Sequence, residues 1–150
     1  MKKILLIAVA ITATLWMTTS CNKEKDASDT EKEIIEKTLA RYGDTGFVEH
    51  NGIYLYLMEE GEVAYGQSDI VTMVYSGQTL QNNVTFAKDD TLRFVYGTDQ
   101  LISGFQRALP YIKRGSQGQL LIPYIYGYGS NRTGTIEPYS TLLFTFKMIE

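Results

Sequence analysis

The chain has 150 residues, 14 basic and 17 acidic side chains for a net charge of −3, and 44% hydrophobic content with 12% aromatic residues. It contains no run of Lys or Arg and no basic stripe interleaved with aromatics, which argues against a nucleic-acid partner. One Cys and one His leave no zinc-ligand spacing, and no Gly-x-Ser-x-Gly elbow occurs, so neither a metal, another cofactor nor a nucleophile system is expected.

Lys2 and Lys3 precede an uncharged apolar run, Ile4 to Met17. The run is shorter than the roughly 20 residues a membrane span needs, and it has the form of a signal-peptide h-region. Thr18-Thr19-Ser20 then leads into Cys21, the single cysteine. The segment resembles the lipobox of a bacterial, Bacteroidetes-like envelope lipoprotein, with Thr18 where an aliphatic residue is usual. The resemblance implies that residues 1–20 are removed and that Cys21 is lipidated. Two acyl chains suffice for stable attachment without a membrane-crossing helix. No Asp follows Cys21, so the outer membrane is the expected host, on its periplasmic or surface face. Without Lys2 and Lys3 the basic count falls to 12 against 17 acids.

Asn22 to Asp29 is polar and reads as a tether. Ser28 and Glu31 have capping-box spacing, and Ile34, Ile35, Thr38, Leu39 and Tyr42 recur at helical intervals up to Gly43. Glu33, Glu36, Lys37 and Arg41 form the solvated face. Such a helix lies on a sheet or pairs two copies of the chain. Residues 21–45 are thus the lipidated tether and helix, and 46–150 the main domain.

The period then becomes alternating. Phe47 to His50, Asn51-Gly52 and Ile53 to Met58 predict a hairpin with a tight turn. Asp69 to Tyr75, Val84 to Ala87 and Leu92 to Tyr96 are further strands. Glu59-Glu60-Gly61-Glu62 and Asp89-Asp90 read as solvated turns, and His50 as a surface residue. Helical spacing returns over Ile102 to Ile112, with Ser103 or the preceding turn as cap and Pro110 ending or distorting the last turn. Gly118 to Pro123 is a buried strand, Tyr124 to Pro138 a long Gly- and Tyr-rich loop, and Ser140 to Ile149 a closing strand. Phe94, Leu109, Leu120, Ile122 and Phe146 are core candidates. The pattern predicts an α+β domain, an antiparallel sheet with a helix on one face.

Several short motifs fall in a fixed order. They are Val74-Tyr75-Ser76-Gly77, Leu92-Arg93-Phe94-Val95-Tyr96-Gly97, Leu101-Ile102-Ser103-Gly104-Phe105, Ile112-Lys113-Arg114-Gly115 with Leu120-Leu121-Ile122-Pro123, Tyr126-Gly127-Tyr128-Gly129, and Ile136-Glu137-Pro138 with Thr141-Leu142-Leu143-Phe144. Together they resemble the FKBP-type peptidyl-prolyl cis-trans isomerases from about Asp69 to Ile149. The resemblance implies an FKBP-like antiparallel sheet wrapped around one short helix, here with an extra N-terminal helix.

It also implies a site. Tyr75, Phe86 and Phe144 would form the walls of an aromatic cup, Phe105 its floor and Ile136 its rim. Leu101 and Ile102 would supply contacts at the helix start, with the Ile102 N–H reaching a substrate carbonyl. Tyr128 would donate its hydroxyl, and Leu92 stands where a second Phe is common. Tyr128, Phe105, Tyr75 and Ile102 are the catalytic candidates; Phe86, Leu92, Leu101, Ile136 and Phe144 are the substrate-binding ones. The family's Asp after the Phe of the second pocket strand is Ala87 here, with Asp89 and Asp90 as nearby carboxylates. The expected partners are proline-containing or unfolded polypeptides, and the membrane only through the lipid. The expected activity is peptidyl-prolyl cis-trans isomerisation assisting the folding of exported proteins. The alternative is a peptide-binding or chaperone module of the same fold with little or no turnover, which Ala87 favours.

Overall fold

The computed structural model describes residues 24–43 and 46–149. The lipobox and Cys21 lie outside the described residues. Helix α1 occupies residues 24–42, and strands β1 (Val48–His50), β2 (Ile53–Glu59), β3 (Ile70–Thr79) and β4 (Thr85–Val95) follow. Helix α2 (Ser103–Ala108) runs into a 3-10 turn at Leu109–Tyr111. Strand β5 (Gln117–Ile122), a 3-10 turn at Tyr124–Tyr126 and strand β6 (Leu142–Ile149) complete the chain. The strands form one antiparallel sheet in the order β1-β2-β5-β6-β3-β4. This is the α+β architecture expected.

The Asn51-Gly52 hairpin forms as read, with His50 paired to Ile53 and both turn residues at positive φ. His50 is half-buried and stacks on Tyr111 at a centroid distance of 3.9 Å. Pro110 does end the regular helix, because it has no N–H to continue the ladder and converts the last turn to 3-10.

Both faces of the central strands are covered. Leu120, Ile122, Leu142, Phe144, Phe146 and Met148 pack with Phe105, Ala108 and Leu109 on the α2 side. The intervening Leu121 and Leu143 pack against Ile35 of α1 on the other side, with Leu39 alongside. This explains the unbroken apolar runs in β5 and the start of β6, since successive side chains point to opposite, equally buried faces. Helix α1 therefore lies on the sheet. Phe94, Leu109, Leu120, Ile122 and Phe146 are all buried.

Four expectations need correction. Helix α1 already includes residue 24, so Glu24 to Asp29 is helical rather than a tether and Ser28 lies inside the helix. The Glu31 side chain turns to the sheet domain instead of closing a capping box, bonding Tyr124 and Thr141. Of the two caps expected for α2, Ser103 is not one, since its hydroxyl donates to the Tyr126 carbonyl at 3.1 Å; the cap position falls on Ile102, in the segment before the helix. Thr85 to Ala87 and Leu92 to Val95, from the two strands expected, are joined into the single strand β4, so Asp89 and Asp90 sit in a strand and not in a turn. In each case a local signal yielded to tertiary pairing.

Candidate functional site

The site is shaped by irregularity in β4. Gln78 pairs with Thr85 and Gly77 with Ala87, so Phe86 is an extra residue on its strand. Tyr75 pairs with Asp90, which leaves Lys88 and Asp89 opposite the single Ser76. Each mismatch is a one-residue bulge, and a bulge re-aims the side chains beside it. The second bulge is held by Ser76, whose Oγ accepts from the Asp89 N–H at 3.0 Å and donates to Asp89 Oδ1 at 3.2 Å. Asp89 takes φ 51°, a conformation that Asp tolerates better than most residues.

The first bulge lays the Phe86 ring over Gly77. A Cβ at Gly77 would overlap that ring and press on Phe144. The second bulge brings Asp90 onto the same concavity as Tyr75. The result is an open cup of about 280 Å³, lined by Tyr75, Phe86, Ala87, Asp90, Tyr128, Ile136 and Phe144, with Thr133–Thr135 at its rim.

Phe144 is the hub. Its ring meets Phe86 edge-on at 5.4 Å, Tyr75 at 5.9 Å and Phe105 edge-on at 4.8 Å. These separations lie in the range where aromatic pairs are favourable. Phe105 itself is 5% exposed and supports the cup from beneath, through Phe144, without lining it. Gly104 makes that support possible, because a Cβ there would run into the Ile122 side chain and lift α2 off the sheet.

Tyr128 stands on a loop built from backbone bonds. The Tyr124 carbonyl accepts from the N–H groups of Gly127 at 3.0 Å and Gly129 at 2.9 Å, the two neighbours of Tyr128. Thr133 and Ile136 exchange bonds of 3.0 and 2.9 Å, which seats Ile136 at the cup. The Tyr128 side chain is half-buried, and its hydroxyl has no hydrogen-bond partner among the described residues. The Tyr75 hydroxyl is pushed above the usual phenol pKa, first by burial and then by the negative charge of Asp90, with Tyr128 adding to it.

The remaining expected residues stand outside the cup. Leu101 lines a neighbouring depression with Gln67, Phe94 and Gln106. Ile102 is packed against the core at the start of α2, where no described group accepts a hydrogen bond from its N–H. Leu92 is half-buried against the core, cross-strand from Met73. The residue least legible beforehand is Asp90, since two bulges had to be known before its face could be assigned. Among the described residues, no group of His, Cys, Asp and Glu side chains could hold a metal ion.

Comparison with known proteins agrees with the fold and the motifs. A family model for FKBP-type peptidyl-prolyl cis-trans isomerase matches residues 61–149. The chain is 28% identical over 123 residues to the FKBP-type peptidyl-prolyl cis-trans isomerase FkpA of Buchnera aphidicola subsp. Baizongia pistaciae, covering 79% of this chain and 46% of that protein. It is 30% identical over 96 residues to FK506-binding protein 1 of Candida glabrata, covering 61% of this chain and 83% of that protein. The crystal structure of FkpA from Escherichia coli superposes with a TM-score of 0.70 at 27% identity, over 98% of this chain and 70% of that one. The chain thus spans less than half the length of the Buchnera FkpA relative. With most of the chain matched by the family model and the fold shared with FkpA, this protein belongs to the FKBP-type peptidyl-prolyl cis-trans isomerase family.

Proposed function

We propose that this protein catalyses cis–trans isomerisation of X-Pro bonds in exported polypeptides, working from the cell envelope on a lipid anchor at Cys21. The observation that carries the reading is the aromatic cup of Tyr75, Phe86 and Phe144, with beside it the Tyr128 side chain, whose hydroxyl has no hydrogen-bond partner among the described residues. Rotation about an X-Pro amide is opposed by a barrier of about 18–20 kcal/mol because resonance holds the planar forms. The twisted amide has lost that conjugation and is less polar than either planar form. An apolar cup therefore binds it better than the ground state, and this difference in binding accelerates rotation without any nucleophile.

In this reading Phe86 and Phe144 enclose the proline ring and Ile136 closes the rim. The Tyr128 hydroxyl and the Ile102 N–H donate to substrate carbonyls and fix the direction of twist. Leu92 and Leu101 contact residues flanking the proline, and Phe105 keeps Phe144 upright. Asp90 takes the place of the carboxylate that Ala87 lacks. Among the described residues no helix is long and apolar enough to cross a membrane. Attachment is assigned to the lipid on Cys21, with the outer membrane as host.

A protease-coupled isomerisation assay on an Ala-Leu-Pro-Phe peptide tests the reading with the purified protein. Acceleration at micromolar protein is expected, and no acceleration would sink the enzymatic reading. Ala87 favours a second reading, a binding module with little turnover. In that case the peptide would bind, as seen by NMR shifts of the cup residues, without exchange being accelerated.

A further inference from the structure

Among the described residues of α1, Glu31 is the one whose carboxylate bonds to the sheet domain. It is 8% exposed, and its Oε1 accepts from the Tyr124 N–H at 2.6 Å and from the Thr141 hydroxyl at 3.0 Å. Among the described residues no Lys or Arg forms an ion pair with it. A buried carboxylate without a countercharge is costly, and here its two hydrogen bonds are what offset that cost.

What those bonds hold leads straight to the cup. The Tyr124 backbone is held on both sides: its N–H donates to Glu31, and its carbonyl accepts from the N–H groups of Gly127 and Gly129 on either side of Tyr128. Thr141 is the second anchor. Its N–H donates to Gln81 Oε1 at 2.9 Å, and Gln81 Nε2 donates to the Thr141 hydroxyl and to the Tyr139 carbonyl, each at 3.0 Å. The Tyr139 N–H in turn donates to the Gly129 carbonyl at 2.8 Å. Both ends of the Tyr128 loop are therefore tied, through a few hydrogen bonds, to one carboxylate oxygen on α1.

We propose that Glu31 is a positioning residue for Tyr128, which makes the N-terminal helix a working part of the isomerase site. The proposal rests on the reading of the cup given above. Tyr124 and Thr141 are both donors, so the side chain at position 31 must be an acceptor of the right length. Ile35 and Leu39 dock the helix against Leu121 and Leu143, and Glu31 sets where the loop sits relative to it.

The test compares the wild type with Glu31→Ala, Glu31→Gln, Glu31→Asp, Tyr128→Phe and the Glu31→Ala/Tyr128→Phe double variant. Isomerase kcat/KM and the amide NMR shifts of Gly127 and Gly129 are the readouts. Tyr128→Phe and Glu31→Ala should each lower kcat/KM, by roughly three- to tenfold, the size of one lost hydrogen bond. The double variant should be no slower than the slower single one, because both changes remove the same contribution. Glu31→Gln keeps an acceptor oxygen and should restore most of the rate. Glu31→Asp is a methylene short and should fall between wild type and Glu31→Ala, which keeps the question answerable if Glu31→Ala does not fold. Independent, multiplicative losses, or a folded Glu31→Ala or Glu31→Asp with wild-type kcat/KM, would overturn the proposal. If the wild type lacks isomerase activity, that reading fails separately. The positioning role then stands or falls on whether the Gly127 and Gly129 amides shift in Glu31→Asp and return in Glu31→Gln.

Discussion

Tyr75 and Asp90 face each other directly across the β3–β4 ladder, and only the bulge at Lys88 and Asp89 puts them there. Without that extra residue a different side chain of β4 would oppose Tyr75. The pairing places one carboxylate at the wall of the aromatic-lined cup. It supplies the kind of group that Ala87 does not.

Asp90→Asn should therefore lower the pKa of the Tyr75 hydroxyl, because the second cause of its upward shift is removed. Burial is the first cause, so the value should remain above the ordinary phenol range. Titration of ring-labelled tyrosines by NMR reads this directly. Isomerase kcat/KM should fall a few-fold in the same variant, and an unchanged Tyr75 titration would show that the two side chains do not sense each other.

Gly77→Ala tests the first bulge. The new methyl overlaps the Phe86 ring, which has to swing away from Phe144. Overpacking of this kind costs about 1–3 kcal/mol. Activity should drop further than the loss of stability explains, since Phe86 is a wall of the cup. Thermal denaturation and kcat/KM measured on the same sample separate the two effects.

Phe105→Ala removes the ring beneath Phe144. As a buried aromatic truncation it should cost about 3–5 kcal/mol. Phe144 would then lose its closest aromatic neighbour, at 4.8 Å, and substrate turnover should fall although Phe105 does not line the cup. Phe105→Leu should recover most of the stability and part of the rate.

Glu31 also predicts a pH dependence of stability. Burial raises its pKa above 4.5, against the lowering effect of its bonds to Tyr124 and Thr141. A group whose pKa is raised on folding stabilises the fold fully below its unfolded value and loses that contribution as pH climbs through the folded value. Tyr54 of β2 and Tyr124 both feel the Glu31 charge, Tyr54 together with that of Glu49 and Tyr124 together with that of Glu24. Glu31→Gln should thus be at least as stable as the wild type at neutral pH, and the difference should close as pH falls to about 4.5 and below. Urea denaturation of both proteins across that range gives the answer.

The anchor is tested most simply by Cys21→Ser. The wild-type protein should take up labelled fatty acid and partition into detergent, and the variant should do neither. A variant that still fractionates with membranes would assign attachment to something other than this cysteine.

The hairpin at Asn51-Gly52, the closing strand and the core positions were legible in the sequence because each rests on short-range chemistry: a turn pair that accepts positive φ, or alternation along a strand. The family came instead from resemblance, through the order of the motifs. Ser28 and Ser103 were misleading because capping signals are local, whereas Glu31 and the Ser103 hydroxyl found partners on the far side of the chain. Asp89 and Asp90 look like turn residues, and indeed Asp89 has the backbone of one, but within a strand. Bulges leave no alternation to read, so the face on which Asp90 lies became visible only from the pairing of β3 with β4.

Strand β4 is also the last strand of the sheet order, paired among the described residues with β3 alone. A flat edge would recruit extended chains by strand addition. Two bulges and the exposed Lys88-Asp89-Asp90 run break that edge. The irregularity that shapes the cup thus also makes this edge a poor template for strand addition.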